Sequence, residues 1–160
     1  MTFSVDFSAP SPLWRGLPRH RAIARETIEA CAAEARLAAR EGAEVSLLLA
    51  DDEALRALNA RWRGVDKPTN VLSFPAAAAD RIGTAPALGD IALAYETLAR
   101  EAEEAGISLK DRYRHLVAHG FLHLIGYDHQ TDEEAERMEA LEKRVLARFG
   151  VDDPYAVTES

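Results

Sequence analysis

Three histidines, His119, His123 and His129, stand in the run HGFLHLIGYDH, a spacing of H-x3-H-x5-H. Residues four apart on a helix share one face, so His119 and His123 can offer nitrogens to a single point. Gly126 can adopt the left-handed or tight turn that ends such a helix, and the chain then swings back with His129. A metal ion is the most economical object at that point. A lone histidine is more often a surface or core residue, but three at this spacing with a glycine between them reverse that preference. Three neutral imidazoles leave a tetrahedral ion one position for water, the arrangement of a catalytic site rather than a closed structural one. Such a donor set accepts zinc, nickel, copper or iron, with zinc first on ligand type and availability.

The spacing matches the zincin pattern H-E-x-x-H-x-x-G-x-x-H except at Gly120, which stands where the proteases carry a general-base glutamate. The ligands are kept and the base is missing, so peptide hydrolysis by the usual route is disfavoured. His115, one turn before His119, and Asp128, beside His129, are candidates to orient ligands or relay a proton, although residues of both types are more often structural. A second constellation lies upstream in RWRGVDKPTNVLSFP, residues 61–75. A helix ending at Gly64, a loop and a strand opening at Thr69 or Asn70 can aim side chains into a cleft at a sheet edge. Arg63, and more weakly Arg61, can there hold phosphate oxygens and stabilise charge that builds up at phosphorus. Either arginine also suits a helix C-terminus for its dipole alone.

These groups must be positioned by elements of alternating type. Thr2 to Phe7 alternates apolar and polar residues, as a strand exposed on one face does. A helix from about Arg19 to Arg40, closed by Gly42, follows a stretch broken by prolines. Val45 to Ala50 suits a buried strand. Asp51 or Asp52 caps a helix bearing Leu55, Leu58 and Trp62, and Asn70 to Phe74 and Gly89 to Ala94 read as strands. The run AAAADRIGTAPA between those two strands reads as a surface loop. Tyr95 to Ala105 makes a helix, Ser108 with Asp111 caps the histidine helix, and Thr131 with Glu134 caps a last helix with the stripe Met138, Leu141, Val145 and Phe149. The histidine helix is apolar nearly all round and therefore central, with its histidine stripe facing a cleft. The expected fold is α+β (mixed α/β), a small mixed sheet of about four strands covered by about five helices.

A chain of 160 residues, 48% of them hydrophobic, suits a single domain over residues 1–160. Cys31 is the only cysteine, which precludes an intrachain disulfide and fits a reducing compartment. The N-terminus lacks an apolar leader and no stretch is long enough to span a bilayer, so the expected location is cytoplasmic. A net charge of −8 argues against bulk nucleic-acid binding. Its distribution is uneven. Residues 132–160 hold nine acids, Glu142 and Glu159 among them, against four bases. Arg15, Arg19, Arg21 and Arg25 form a basic island with no acid among them, which a solvated surface also explains.

The runs HGFLHLIGYDH, RGVDKPTNVLSFP and LGDIAL resemble, in the same order, the YbeY family of bacterial metal-dependent endoribonucleases. The resemblance covers about Val45 to Tyr155, while the first forty or so residues match only in general character. By position it places metal ligands at His119, His123 and His129 and a catalytic arginine at Arg63. It implies a small mixed sheet with helices and hydrolysis of phosphodiester bonds in single-stranded RNA, with one divalent transition metal ion, Zn2+ first, as cofactor. It also implies roles in small-subunit (16S) rRNA 3′-end maturation and ribosome quality control. The implied partners are RNA and the small ribosomal subunit, through a ribosomal protein or an assembly GTPase, with no membrane and no DNA. Two alternatives remain: a zincin-like metalloprotease, which Gly120 opposes, and a non-catalytic ribosome-assembly factor with a structural metal.

Overall fold

The structure, a computed structural model, describes residues 2–156. Glu159, part of the acidic C-terminal stretch, lies outside them. Four strands, β1 (Ser4–Ser8), β2 (Glu44–Ala50), β3 (Val71–Pro75) and β4 (Ala87–Ala94), form one mixed sheet in the order β1-β2-β4-β3. The β1/β2 and β2/β4 pairs are parallel and β3 is antiparallel to β4, which makes β3 one edge. The alternation at the N-terminus is realised in β1, whose even-numbered residues are exposed and whose Val5 and Phe7 turn inward. Burial on both faces explains the apolar run in β2 and β4.

Among the described residues five helices join the sheet: α1 (His20–Glu34), α2 (Asp52–Arg63), α3 (Tyr95–Ala105), α4 (Leu109–Leu124) and α5 (Asp132–Ala147). Helix α4 packs on β3 and β4 and is flanked by α1, α3 and α5. Tyr113, Val117, Phe121 and Leu122 are fully buried, so α4 is the central helix. Ser108 and Thr131 accept the backbone N–H groups of Asp111 and Glu134 and cap α4 and α5 as expected. On the opposite face of the sheet, α2 covers a smaller cluster of Leu55, Leu72, Ala92 and Ala94.

Two expectations are corrected. Helix α1 ends at Glu34 and does not run to Arg40, because Arg36 takes φ 51° and the Leu37 amide returns to the Ala32 carbonyl at 2.9 Å. With the Arg36 amide bonded to Ala33, this is a Schellman turn closed by a residue other than glycine. The segment between β3 and β4 is not wholly a surface loop. It holds a short 3-10 turn, Ala79–Arg81, and buries Ile82. Residues Pro12–Gly16 form another 3-10 turn that drives Trp14 into the core, where its indole N–H donates to the Ala50 carbonyl at 2.8 Å. Cys31 is fully buried in α1, and burial, then the charge of Glu142, pushes its thiol above the ordinary value. It is an inert apolar side chain.

Candidate metal centre

Helix α4 carries His119 and His123 to a half-buried cleft beside β3, the sheet edge. Gly126, at φ +105°, ends the helix in a conformation that side chains resist, and the Tyr127 amide bonds back to Leu122 at 3.0 Å. That turn sends the chain back, and the Asp128 carboxylate accepts the His129 backbone N–H at 2.8 Å. His129 then faces the other two. One ligand nitrogen from each histidine lies within 4.8 Å of the others. His119 Nε2 and His123 Nε2 are 3.1 Å apart, close to the ~3.3 Å between nitrogens that share a tetrahedral ion at ~2.0 Å bonds.

A buried carboxylate decides which nitrogen of His119 is available. Glu142 on α5 has no exposed surface, and its Oε1 lies 2.8 Å from His119 Nδ1. An acceptor there puts the proton on Nδ1 and turns the Nε2 lone pair toward His123 and His129. The second oxygen of Glu142 accepts from His115 Nε2 at 2.8 Å and from the Tyr155 hydroxyl at 2.5 Å. Arg112 donates to His115 Nδ1 at 3.1 Å, which fixes the tautomer of that ring as well. Burial alone would raise the Glu142 carboxyl, but hydrogen bonds from His115 and His119, with the bond from Tyr155, outweigh it and hold the group at about 2. His123 is held below its ordinary value by burial first and then by repulsion from His119 and His129. Both effects favour the neutral ring, the form that could ligate a metal ion.

Arg63 lines the same cleft as the three histidines, together with Asn70, Ser73 and Asp128. It is the last residue of α2, and Gly64 at φ 68° turns the chain immediately after it. The following loop is tied back to α2 by paired bonds from Arg56 to Asp66 and by Asn59 donating to the Lys67 carbonyl. Arg63 forms no ion pair among the described residues, which leaves its guanidinium for an anion in a cleft of about 750 Å³. Arg61 turns elsewhere and packs over the Trp62 ring at 5.4 Å.

The structure therefore brings together His119, His123, His129, Arg63 and Asp128, and it sets Arg61 apart. His115 does not face the cleft. It is 6% exposed and meets Glu142 from behind the ligands. Glu142, one of the nine acids of the C-terminal stretch, is the buried support of the site. Its signal is present in the sequence: a carboxylate one turn after Met138 and one turn before Val145 sits on the apolar stripe of α5, where a charge needs partners. Tyr155 carries no such signal, since only the turn after α5 returns it to Glu142.

Gly120 has a structural reason. A Cβ there would stand 2.9 Å from Ile91 Cγ2 and 3.2 Å from Ser73 Oγ, so α4 lies too close to the sheet for a side chain. The Ser73 hydroxyl donates to the Gly120 carbonyl at 3.0 Å across the same contact. A protease-type glutamate has no room at this position.

The profile of the family described as Endoribonuclease YbeY matches residues 17–150. The chain belongs to the YbeY family. An Endoribonuclease YbeY of Methylocella silvestris is 50% identical over 153 residues, covering 94% of this chain and 85% of the relative. One from Rhodopseudomonas palustris is 52% identical over 146 residues, covering 89% and 84%. A solution structure of a Thermotoga maritima protein aligns with a TM-score of 0.55 at 21% identity, covering 96% of this chain and 99% of that one, and supports the YbeY-like α+β fold. The part matched to the YbeY family contains Arg63, the three histidines and Glu142, while Tyr155 lies beyond it.

Proposed function

We propose that this cleft is a metal-dependent centre for hydrolysis of phosphodiester bonds in single-stranded RNA. Membership of the YbeY family makes the chain an endoribonuclease, a hydrolase that acts on RNA. The observation that carries the finer reading is the convergence of three histidine nitrogens within 4.8 Å in a cleft shared with Arg63, which has no ion pair among the described residues. His119, His123 and His129 are the residues that would hold one divalent ion, zinc first. When bound, that ion supplies Lewis acidity toward water or a phosphoryl oxygen. Glu142 keeps His119 in the ligating tautomer, backed by His115 and Tyr155. Arg63 holds phosphate oxygens and stabilises the charge that grows at phosphorus. Asp128 fixes the return of His129 through its backbone N–H.

We place this activity in small-subunit rRNA 3′-end maturation and ribosome quality control in the cytoplasm, with a ribosomal protein or assembly GTPase as recruiting partner. No helix among the described residues is long and apolar enough to cross a membrane, and the crowding at Gly120 removes the protease reading's base. The test pairs two variants. His123→Ala should lose bound metal and nuclease activity together. Arg63→Ala should keep metal and fold while cleavage falls by roughly 10²–10³-fold, the scale of a lost donor to a developing oxyanion. Equal metal content in His123→Ala undoes the metal centre, and unchanged cleavage in Arg63→Ala removes that residue from the chemistry.

A further inference from the structure

One concentration of chemistry lies outside the cleft. Arg15, Arg19, Arg21 and Arg25 line one hollow of about 820 Å³ where the chain passes from β1 through the Pro12–Gly16 turn into α1. No carboxylate is among its lining residues, although the chain carries a net charge of −8. Among the described residues the one ion pair at its rim, Arg19 with Glu26, is 3.7 Å long and exposed, too weak to neutralise the group. Arg21 and Arg25 are held over the Phe7 ring at 5.6 and 5.1 Å, so two guanidiniums are oriented before any ligand arrives. The first turn of α1 contains no acid and has no side-chain cap, which adds the positive end of its dipole to the same hollow.

Four arginines kept close repel one another, and a polyanion relieves that repulsion. Guanidinium groups also match phosphate in geometry better than other cations do. The hollow adjoins β1 where Arg21 and Arg25 lie over Phe7 and adjoins the ends of β2 and β4 through Trp14, while the metal cleft lies beside β3, the far edge of the sheet from β1. The axes of β1 and β3 are three strand spacings apart, roughly 14 Å, which sets the scale of the path between the two sites. A strand of several nucleotides can therefore reach from one to the other.

We infer that the arginine hollow is a second RNA-backbone site, which holds the phosphates of a single strand whose scissile bond lies in the histidine cleft. The inference rests on the reading of that cleft as an RNA-cleaving centre. The hollow grips phosphates and so carries no sequence preference. It assigns binding strength to the α1 hollow and chemistry to the cleft.

The test replaces Arg15, Arg19, Arg21 and Arg25 with alanine together, and separately makes Arg21→Glu with Arg25→Glu. Binding of a fluorescent unstructured RNA is followed by anisotropy in the Arg63→Ala background over a range of salt. The fourfold variant should bind roughly tenfold more weakly or worse, and the slope of log affinity against log salt should drop by roughly 0.7 for each phosphate that the variant no longer neutralises. With Arg63 restored, KM for long RNA should rise while kcat, metal content, the melting curve and cleavage of an oligonucleotide too short to span both sites stay unchanged. Unchanged affinity and slope overturn the inference. Intact RNA binding by a wild-type chain that cleaves nothing would instead sink the catalytic reading, so the two failures are distinguishable.

Discussion

Glu142 shows how one residue can set the quality of a site without touching what binds there. Its two oxygens accept hydrogen bonds from His119 and His115, and Tyr155 donates to the same carboxylate. In Glu142→Gln one end of the side chain becomes a donor facing an N–H, so one histidine must turn or change tautomer. Metal affinity should fall by roughly 10–100-fold, read by competition with a chelating dye. The acid limb of stability should change as well. Burial pushes the carboxyl up, yet the hydrogen bonds hold it at about 2, below its ordinary value of 4.5. A group depressed on folding stabilises fully above its unfolded value, and that stabilisation is lost as pH falls toward the folded one. Between pH 4.5 and 2 the wild-type chain should therefore lose stability more steeply than Glu142→Gln in denaturant melts. Matching affinities and matching slopes would show Glu142 to be a bystander. The three histidines and Arg63 share one cleft, the histidines as their spacing predicts and Arg63 as its place before Gly64 and the family resemblance together suggest. Glu142 was harder to see because its partners lie on another helix, and sequence shows only that a charge sits on an apolar stripe.

At the scale of elements, the sequence read well wherever a local signal ends a helix. Asp51, Ser108 and Thr131 cap as their types require, and Gly64 and Gly106 end α2 and α3 in left-handed geometry. Helix α1 misread for the complementary reason: its stop is a tertiary decision, made by Leu37 packing against the core with Arg36 strained to allow it. The β3–β4 connection misread likewise, since only the folded sheet provides a place to bury Ile82. Gly120 belongs at this scale because its missing side chain sets the distance between α4 and the sheet, and so the depth at which His119 and His123 sit. Gly120→Ala favours helix intrinsically but places a methyl against Ile91 and Ser73. The overpacking should win and destabilise the chain by about 1–3 kcal/mol, measured by denaturant melts. A gain in stability would mean that α4 and β3 separate freely, and the close-approach account would fail.

Over the whole molecule, the chemistry and the charge oppose each other. A cleft suited to phosphate sits in a chain of net charge −8, and a long-range field of that sign slows the approach of RNA. Attraction must come from local groups such as Arg63 and the arginine hollow, and local ionic contacts weaken steeply as salt rises. A protein partner changes this balance, because contacts between proteins need not release counterions and a tethered substrate is present at high effective concentration. Small-subunit particles should therefore be cleaved faster than the same rRNA naked, and the advantage should widen with salt as binding to free RNA fails. Initial rates for both substrates across a salt series measure this. Equal rates with parallel salt dependence would mean that the acidic surface is held clear of the RNA path, and that the cleft and its arginines recruit substrate unaided.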